Sequence, residues 1–548
     1  ADAGGVICVG PLAAGLGPLT EVQAVGTERE LFDRVAELFR RADPAVVLGY
    51  DIFRGSVGLL LERARALGIG DMVRRLGRAA PGERDGVAQG DADSGEAGAT
   101  QAANPDRGPR KLYPPELVSG GVELPGRIVL NVWRVLRGEA KLPTSSLQTA
   151  AQELLGETLP LVPPERLAEQ WRSGGQHARA EVLRLVSRQA ACNLRLLDAL
   201  NVLPRAVEAA RMLGIDMLSV MARGSQYRVE GMLARAAHRS CLLLLSPERE
   251  QVAAQRGAEC LPLVMEPKSG FYFAPVVVLD FQSLYPSIVI AYNICFSTCL
   301  GRLQDSKDDS RIGVMDGYRR PDTLLLDEFA ALPNECVFAR RRKKPGVLPR
   351  MLSEILQTRI MVKRALKDLK KQGGPGPAAD TRARLLDARQ FGLKMIANVT
   401  YGYTAASFSG RMPCVEVADA IVQTARRTLE RAVRWVESEV AGAEVVYGDT
   451  DSLFVHLPGR SKEEAFEQGA RIAREVTRQN PHPVELQMDK VYYPCCLVSK
   501  KRYVGHAWQA PEDAAPVFDA KGIETVRRDQ CAATQRLLRG SLETFFRS

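Results

Sequence analysis

The sequence lacks the patterns that mark several protein classes. None of its eleven cysteines forms a C-x2-C pair, and the nearest neighbours are Cys295 with Cys299 and the adjacent Cys495 and Cys496. This spacing argues against a zinc or iron–sulfur site and suits reduced, buried thiols in an intracellular protein. No apolar run approaches the roughly 18 residues that a membrane-spanning helix requires, so we expect no transmembrane helix and no membrane partner.

A strong charge of one sign is also missing. The 74 Lys and Arg residues against 65 Asp and Glu residues leave a formal net charge of +9, which permits nucleic-acid binding without requiring it. The chain starts at Ala1 without a Met or a basic segment ahead of an apolar one, so we expect a piece of a longer protein. Its 548 residues suffice for three or four domains.

The most informative stretch that is present is YGDTDS at 447–452, between apolar runs at 444–446 and 453–457. Apolar, β-branched runs on both sides of a short polar turn predict a β-hairpin. Asp449 and Asp451 at its tip would repel each other, and a bound divalent cation would relieve that repulsion. The alternative is an ordinary Asp-rich turn that faces water.

A second carboxylate follows a strand upstream. VVVLDF at 276–281 predicts a buried strand, and QSLYPS at 282–287 leads from it into an apolar helix-like run at 288–291. Backbone N–H groups of the turn would be free to hold phosphate oxygens. One strand-end Asp and one hairpin Asp are the minimum for a two-metal phosphoryl-transfer site, so we predict that Asp280 and Asp451 meet.

Two long helical patterns, 347–371 and 381–399, flank GGPGP at 373–377, which no helix can cross. They predict an antiparallel helix pair. Polar residues at helical spacing on the two faces are Arg359, Lys363, Lys394, Asn398 and Tyr401. Their convergence would suit a triphosphate, and the alternative is solvated charge on helix faces.

The blocks DFQSLYPS (280–287), KMIANVTYG (394–402) and YGDTDS stand in the order and spacing of the three polymerase motifs of family B DNA polymerases, and KKRY (500–503) follows as it does there. The chain therefore resembles this family. The resemblance implies an α/β multidomain fold with a degenerate RNase H-like exonuclease-type domain, a palm with an antiparallel sheet, and helical-hairpin fingers.

The domains that the resemblance implies are a 3′–5′ exonuclease-like domain at 1–235, the first part of the palm at 236–345, fingers at 346–402, and a second part of the palm at 403–548 leading to an absent thumb. Within the first domain, residues 78–110 consist largely of Gly, Ala, Asp and Pro, and we interpret them as a disordered insertion.

The exonuclease motifs depart from the family pattern. Ser56 stands in GYDIFRGS (49–56) where the family has a metal-binding Asp, and LVSRQAACNL (185–194) has neither the Tyr nor the Asp of the family's Tyr-x3-Asp motif. The first motif is expected before Ala1. The resemblance therefore implies that proofreading is absent.

The resemblance also assigns roles to individual residues. Asp280 and Asp451 would bridge two Mg²⁺ ions, assisted by the Phe281 carbonyl, with Asp449 nearby. The nucleotide would be held by Ser283, Leu284, Tyr285, Arg359, Lys363, Lys394, Asn398 and Tyr401, with Tyr285 as the steric gate against a 2′-hydroxyl. DNA contacts would come from Arg223, Tyr227, Gly402, Lys500, Lys501, Arg502 and Tyr503.

The implied activity is nuclear, error-prone translesion synthesis that extends mismatched or lesion-opposed primer ends. The alternatives are a replicative family B polymerase and a catalytically inactive DNA-binding scaffold. Implied partners are primer–template DNA and dNTPs and, in the full-length protein, a HORMA-domain accessory subunit and the polymerase-delta accessory subunits. The basic run RRRKK (340–344) is compatible with a solvated loop, a nuclear-import signal or a DNA contact.

Overall fold

The computed structural model describes residues 4–9, 20–78, 120–255, 257, 261–303, 327–372, 377–406, 411–527 and 529–547. Apart from Arg78, the predicted insertion at 78–110 lies outside these ranges. The chain forms two compact units, one of Ala1–Arg211 with Ile215–Gly224 and one of Met212–Gly214 with Ser225–Ser548. In the described ranges no helix is both long enough and apolar enough to cross a bilayer.

The first unit mixes helices with short parallel strand pairs. Its strands are β1 (Gly4–Val9), β2 (Thr20–Val25), β3 (Val46–Gly49) and β4 (Ile128–Asn131), with β1 parallel to β2 and β3 parallel to β4. Its helices are α1 (Glu28–Ala42), α2 (Ile52–Gly55), α3 (Val57–Ala66), α4 (Met72–Leu76), α5 (Val132–Glu139), α6 (Leu147–Leu155), α7 (Pro164–Arg172), α8 (Gln176–Ala199), most of α9 (Val202–Leu213), and α10 (Met217–Ala222).

Local sequence signals explain why helix α1 forms. Thr27 caps α1 by accepting a hydrogen bond from the Glu30 backbone N–H at 3.2 Å. Phe32 and Ala36, one helical turn apart, are buried in one core together with Ile52 and Val129. The helix therefore forms where an N-cap and a single apolar stripe coincide.

The second unit contains the larger sheet. Its strands are β5 (Gly270–Tyr272), β6 (Val276–Phe281), β7 (Cys299–Arg302), β8 (Phe329–Ala331), β9 (Cys336–Ala339), β10 (Glu444–Asp449), β11 (Ser452–His456), β12 (Leu486–Ser499), β13 (Arg502–Trp508) and β14 (Val517–Lys521). Its helices are α11 (Ser225–His238), α12 (Arg249–Ala253), α13 (Leu284–Ala291), α14 (Val347–Gln372), α15 (Pro377–Ala405), α16 (Val415–Glu439), α17 (Lys462–Arg478) and α18 (Ala532–Phe545).

The large sheet is antiparallel in the order β10-β11-β6-β12-β13-β14, with β5 also on β12. Strand β6 lies between two neighbours and is buried on both faces, which explains its run of four apolar residues. Val276 and Val278 pack on one face with Phe454, while Val277 points toward Gly469 of α17 on the other. The strand that ends in Asp280 is therefore the fixed centre of the unit.

The two long helices are confirmed and are longer than predicted. Helices α14 and α15 pack against each other, and α13 packs against both. Their connection at 373–376 lies outside the described residues. Because only four residues join them, the two helices run antiparallel.

Two tight turns set the limits of strands β13 and β14. Strand β13 begins only at Arg502, because Lys501 adopts a φ of 60° in the turn after β12. Strand β14 ends at Lys521. Gly522 follows at a φ of 64°, and a Cβ there would collide with the Lys501 carbonyl oxygen, so the chain turns away from the sheet.

The contact between α17 and the sheet leaves no room for a larger side chain. A Cβ on Gly469 would lie 2.8 Å from Val277 Cγ1 and closer still to Met488 Sδ. We expect Gly469→Ala to lower the free energy of unfolding by about 1–3 kcal/mol, measured by thermal or urea denaturation. The matched control is Gly540→Ala in α18, where no atom lies within 4 Å and a gain of about 0.5–1 kcal/mol is expected. Equal effects would contradict the packing account.

Candidate active site

The sheet order brings Asp280 and Asp451 together. Ser452 of β11 is paired directly with Asp280 of β6, and the Phe281 N–H donates to the Asp451 carbonyl oxygen at 2.8 Å. The hairpin turn is tight, because Thr450 adopts a φ of 62° and the Asp451 N–H donates to the Asp449 carbonyl oxygen at 2.6 Å. Backbone hydrogen bonds therefore fix the two carboxylate residues as neighbours.

The two carboxyl groups are electrostatically strained. Burial, together with the negative charges of Asp451 and Asp489, raises the pKa of Asp280 to about 7. Burial also raises the pKa of Asp451, helped by the charge of Asp449. Across the described ranges, no cationic side chain forms an ion pair with Asp280 or Asp451. Two half-buried carboxylates without a direct ion-pair partner favour a bound cation.

Asp449, the other carboxylate of the hairpin, forms an ion pair with a lysine. Lys501 Nζ lies 3.0 and 2.9 Å from the two carboxylate oxygens of Asp449, and the Lys501 N–H donates to the Tyr447 hydroxyl at 2.9 Å. Within the described part of the chain, no group of three or more His, Cys, Asp or Glu residues is arranged to hold a metal. The donor set offered to a hard divalent cation is therefore Asp280 and Asp451 with nearby backbone carbonyls, which are oxygen ligands of the kind that Mg²⁺ prefers.

Asp489 is a residue that the sequence reasoning missed. It lies at a register shift between Met488 and Lys490 in β12, the strand that pairs with β6, and its charge acts on Asp280. Its carboxylate lies 3.4 Å from Lys490 Nζ. An acidic residue inside an otherwise strand-like segment was the available signal, but the bulge that sets its direction is not visible in sequence.

The turn after β6 leads directly into the N-terminus of helix α13. Ser283 adopts a φ of 48°, α13 begins at Leu284, and the Ser287 N–H donates to the Ser283 carbonyl oxygen at 2.9 Å. Amides in the first turn of a helix have no intrahelical acceptor. The predicted phosphate-binding amides of Ser283 and Leu284 therefore lie directly after the strand that carries Asp280.

Tyr285 and Tyr401 are in contact. Their ring centroids are 4.8 Å apart with an interplanar angle of 38°. Tyr285 lies in the first turn of α13, and Tyr401 lies near the end of α15, so the packing of these two helices joins the first and second sequence blocks.

The remaining predicted nucleotide-binding residues are on the helix pair. Arg359 of α14 is half-buried, and its Nε is buried without a hydrogen-bond partner among the described residues. Leaving such a donor unsatisfied costs about 1–3 kcal/mol, which an anionic ligand would offset. Lys363 of α14 and Lys394 and Asn398 of α15 are exposed.

The predicted DNA-binding residues have varied surroundings. Arg223 is exposed after α10 in the first unit, and Tyr227 is half-buried in α11 of the second. Gly402 lies in α15, where a Cβ would meet nothing within 4 Å. Lys500 pairs with Glu266 at 2.7 Å, which the sequence did not predict.

Arg502 and Tyr503 face different environments. Arg502 pairs with Glu524 at 2.6 Å. Tyr503 packs edge-on against Phe454 at 5.1 Å, and burial raises its pKa to about 12. A phosphate would therefore compete with a carboxylate at Arg502, while Tyr503 also supports the core.

Ser56, which the sequence predicts in place of an exonuclease metal ligand, lies between α2 and α3. Its hydroxyl donates to the Ile52 carbonyl oxygen at 3.4 Å. The residue therefore carries no charge for a metal and bonds to its own backbone turn.

Residues 215–548, which contain every element of this site, match the model of DNA polymerase family B. The chain belongs to that family. Family B DNA polymerases bind DNA and dNTPs and use divalent metal ions, in agreement with the two-carboxylate donor set.

Individual relatives are similar over almost the whole chain. The DNA polymerase zeta catalytic subunit of Arabidopsis thaliana is 46% identical over 95% of this chain and 27% of its own length, and that of Homo sapiens is 42% identical over 96% and 16%. The DNA polymerase delta catalytic subunit of Mesocricetus auratus is 32% identical over 95% of this chain and 44% of its own length. The chain thus spans less than half of these relatives.

The strained carboxyl of Asp280 predicts a pH dependence of stability without metal. Its folded pKa of about 7 exceeds the ordinary value of 3.8, so the unfolded chain releases this proton first and the native state loses relative stability as pH rises from about 4 to 7. In EDTA, Asp280→Asn should therefore gain stability over the wild type by about 1–2 kcal/mol at pH 8 but not at pH 4, allowing for solvent screening.

Thermal denaturation of both proteins across this pH range measures the difference. Added Mg²⁺ or Mn²⁺ should restore the wild type and leave the variant unchanged, because the cation replaces the missing counter-charge. A stability difference between the two proteins that does not change with pH would refute the raised pKa of Asp280.

Proposed function

We propose that this chain is the catalytic part of a DNA-directed DNA polymerase of the zeta type, adding dNTPs to a primer 3′-hydroxyl. The observation that carries the proposal is the meeting of Asp280 with Asp451 next to a helix N-terminus. Identities of 39–46% to zeta catalytic subunits, against 32% to delta catalytic subunits, favour the zeta branch over a replicative enzyme.

In this proposal the first unit corresponds to a degenerate exonuclease-like domain. The antiparallel sheet of the second unit forms the palm, in two parts at 236–345 and 403–548. The α14–α15 pair forms the fingers at 346–402. The packing of α13 against both long helices supports this arrangement, because it links the carboxylates to the cationic helix faces.

The catalytic chemistry would depend on two Mg²⁺ ions held by Asp280 and Asp451 with help from the Phe281 carbonyl. When bound, the ions would supply charge stabilisation and lower the pKa of the primer hydroxyl. The protein would contribute position: the carboxylates are fixed by backbone hydrogen bonds before any ligand arrives. Asp449, engaged by Lys501, would shape the hairpin instead of acting as a principal ligand.

The nucleotide would be held by cations and amides. Arg359, Lys363 and Lys394 provide positive charge, and Asn398 provides an amide from the same face of α15. The N-terminal amide N–H groups of α13 would donate hydrogen bonds to phosphate oxygens. Tyr285, supported by its ring contact with Tyr401, would occupy the space that a ribose 2′-hydroxyl needs.

Primer–template DNA would run along the residues named above for DNA contact. Because Ser56 carries no charge for a metal where the family has an Asp, a misinserted nucleotide would remain, so the proposed role is extension of mismatched or lesion-opposed ends in the nucleus. The HORMA-domain and polymerase-delta accessory subunits would bind segments outside this chain. An inactive scaffold is disfavoured by the intact pair of Asp280 and Asp451.

Asp451→Asn should abolish nucleotide incorporation in a primer-extension assay with Mg²⁺, by at least about a thousandfold, because a ligand is lost where charge develops. Binding of primer–template, measured by fluorescence anisotropy, should remain within about threefold of the wild type, since few phosphate contacts change. The control Asp368→Asn removes an exposed carboxylate from α14 and should leave incorporation intact.

Full incorporation by Asp451→Asn would refute the assignment, whereas equal loss of incorporation and binding would indicate misfolding. A single-stranded 3′ end incubated with the wild type and Mg²⁺ should not be shortened. Shortening would favour a proofreading, replicative enzyme.

A further inference from the structure

A rigidly held basic turn has no role in the proposed mechanism. It lies between β9 and α14, and all its side chains are exposed. We call the following residues the basic turn: Arg340, Arg341, Arg342, Lys343 and Lys344.

One buried side chain clamps both ends of the basic turn. Asn293, which is only 3% exposed, donates through Nδ2 to the carbonyl oxygens of Ala339 at 2.7 Å and Lys344 at 2.8 Å. Its Oδ1 accepts from the Gly346 N–H at 2.9 Å. Within the turn, the Lys343 N–H donates to the Arg340 carbonyl oxygen at 2.9 Å. The turn therefore has a fixed shape, in contrast to a free surface loop.

The charge on the turn is only partly compensated. Lys343 pairs with Glu328 at 3.0 Å, and Arg340 Nε donates to the Phe329 carbonyl oxygen at 3.1 Å. In the ranges that the structure covers, no acidic side chain pairs with Arg341, Arg342 or Lys344. Holding like charges together on a clamped turn is unfavourable, and a row of phosphates would relieve the repulsion.

The clamp also links the basic turn to the candidate active site. Asn293 follows α13, the helix that carries Tyr285, by two residues, and Gly346 immediately precedes α14, which carries Arg359. A Cβ on Gly346 would lie 2.9 Å from Cys295 Cβ, so the approach is as close as glycine permits. The cations are thus fixed relative to the elements that would bind nucleotide.

We propose that the basic turn binds the phosphate backbone of DNA through Arg341, Arg342 and Lys344, without regard to sequence. This inference rests on the proposed function, which supplies the DNA. Arginine and lysine at fixed positions suit phosphate oxygens, since backbone contacts set the register of a nucleic acid without reading bases. A nuclear-import signal is disfavoured because such a segment is read as a detachable peptide, whereas both ends of this turn are clamped.

The test is a triple variant, Arg341→Gln, Arg342→Gln and Lys344→Gln, which spares the two cations that have partners within the fold. Anisotropy titrations with primer–template from 50 to 300 mM salt should show a dissociation constant raised about tenfold. The slope of log Kd against log salt should fall by about 2–3, close to one per lost phosphate contact. Thermal stability should be unchanged or slightly higher.

Two controls separate local from global charge effects. Lys141→Gln, Arg166→Gln and Arg172→Gln remove three exposed cations from the first unit and should change Kd by less than about twofold. Exchanging Arg341 and Arg342 for Lys, and Lys344 for Arg, keeps the charge and should retain most of the salt slope.

Separate titrations with single-stranded DNA and with blunt duplex DNA show which of the two the basic turn contacts. The triple variant should lose more affinity for the type of DNA that the turn binds. The proposal is overturned if the triple variant keeps the wild-type affinity and salt slope on primer–template, single-stranded and blunt duplex DNA. Loss of nuclear accumulation together with unchanged DNA binding would instead indicate an import signal. Primer extension by the wild-type protein tests the proposed function separately, because binding through the turn does not require catalysis.

Discussion

The candidate active site depends on the fold holding two mutually repelling carboxylates together. Asp280 and Asp451 meet because β6 is the buried centre of an antiparallel sheet and the hairpin β10–β11 adds to its edge in fixed register. The apolar packing of β6 against α17 on one face and an aromatic cluster on the other resists separation. Apolar burial elsewhere thus holds the two repelling carboxylates together, so that a bound cation can relieve their repulsion.

The charges around this pair are distributed to complement it. Lys501 engages Asp449 and so divides the two hairpin carboxylates between a structural ion pair and the candidate metal site. Arg359, with a buried unsatisfied Nε, comes from α14, which packs on α13 immediately after the Asp280 strand. A two-carboxylate centre bordered by donors from separate elements is suited to phosphoryl transfer, in which positioning and charge stabilisation do most of the work.

The sequence anticipated what depends on local pattern. Strand β6 was predicted with its observed limits and α14 within one residue, because long apolar periodicity and a Gly–Pro break are local signals. Helix α15 was predicted at 381–399 and extends beyond both ends of that range, to Pro377–Ala405. The bulge at Asp489, the pairing of Lys501 with Asp449 and the core packing of Tyr503 depend on strand register and partners distant in sequence. The mixed α/β class and the family are confirmed, whereas the roles of the individual site residues remain predictions.

The position of a bound cation would show most directly whether Asp280 and Asp451 form one metal site. Crystals of the protein with primer–template DNA, a non-hydrolysable dNTP and Mn²⁺ in place of Mg²⁺ would locate the ion by anomalous scattering. We expect Mn²⁺ density within about 2.0–2.2 Å of carboxylate oxygens of both Asp280 and Asp451, with Asp449 still paired to Lys501. Ions bound without Asp280, or held by Asp449 alone, would contradict this expectation.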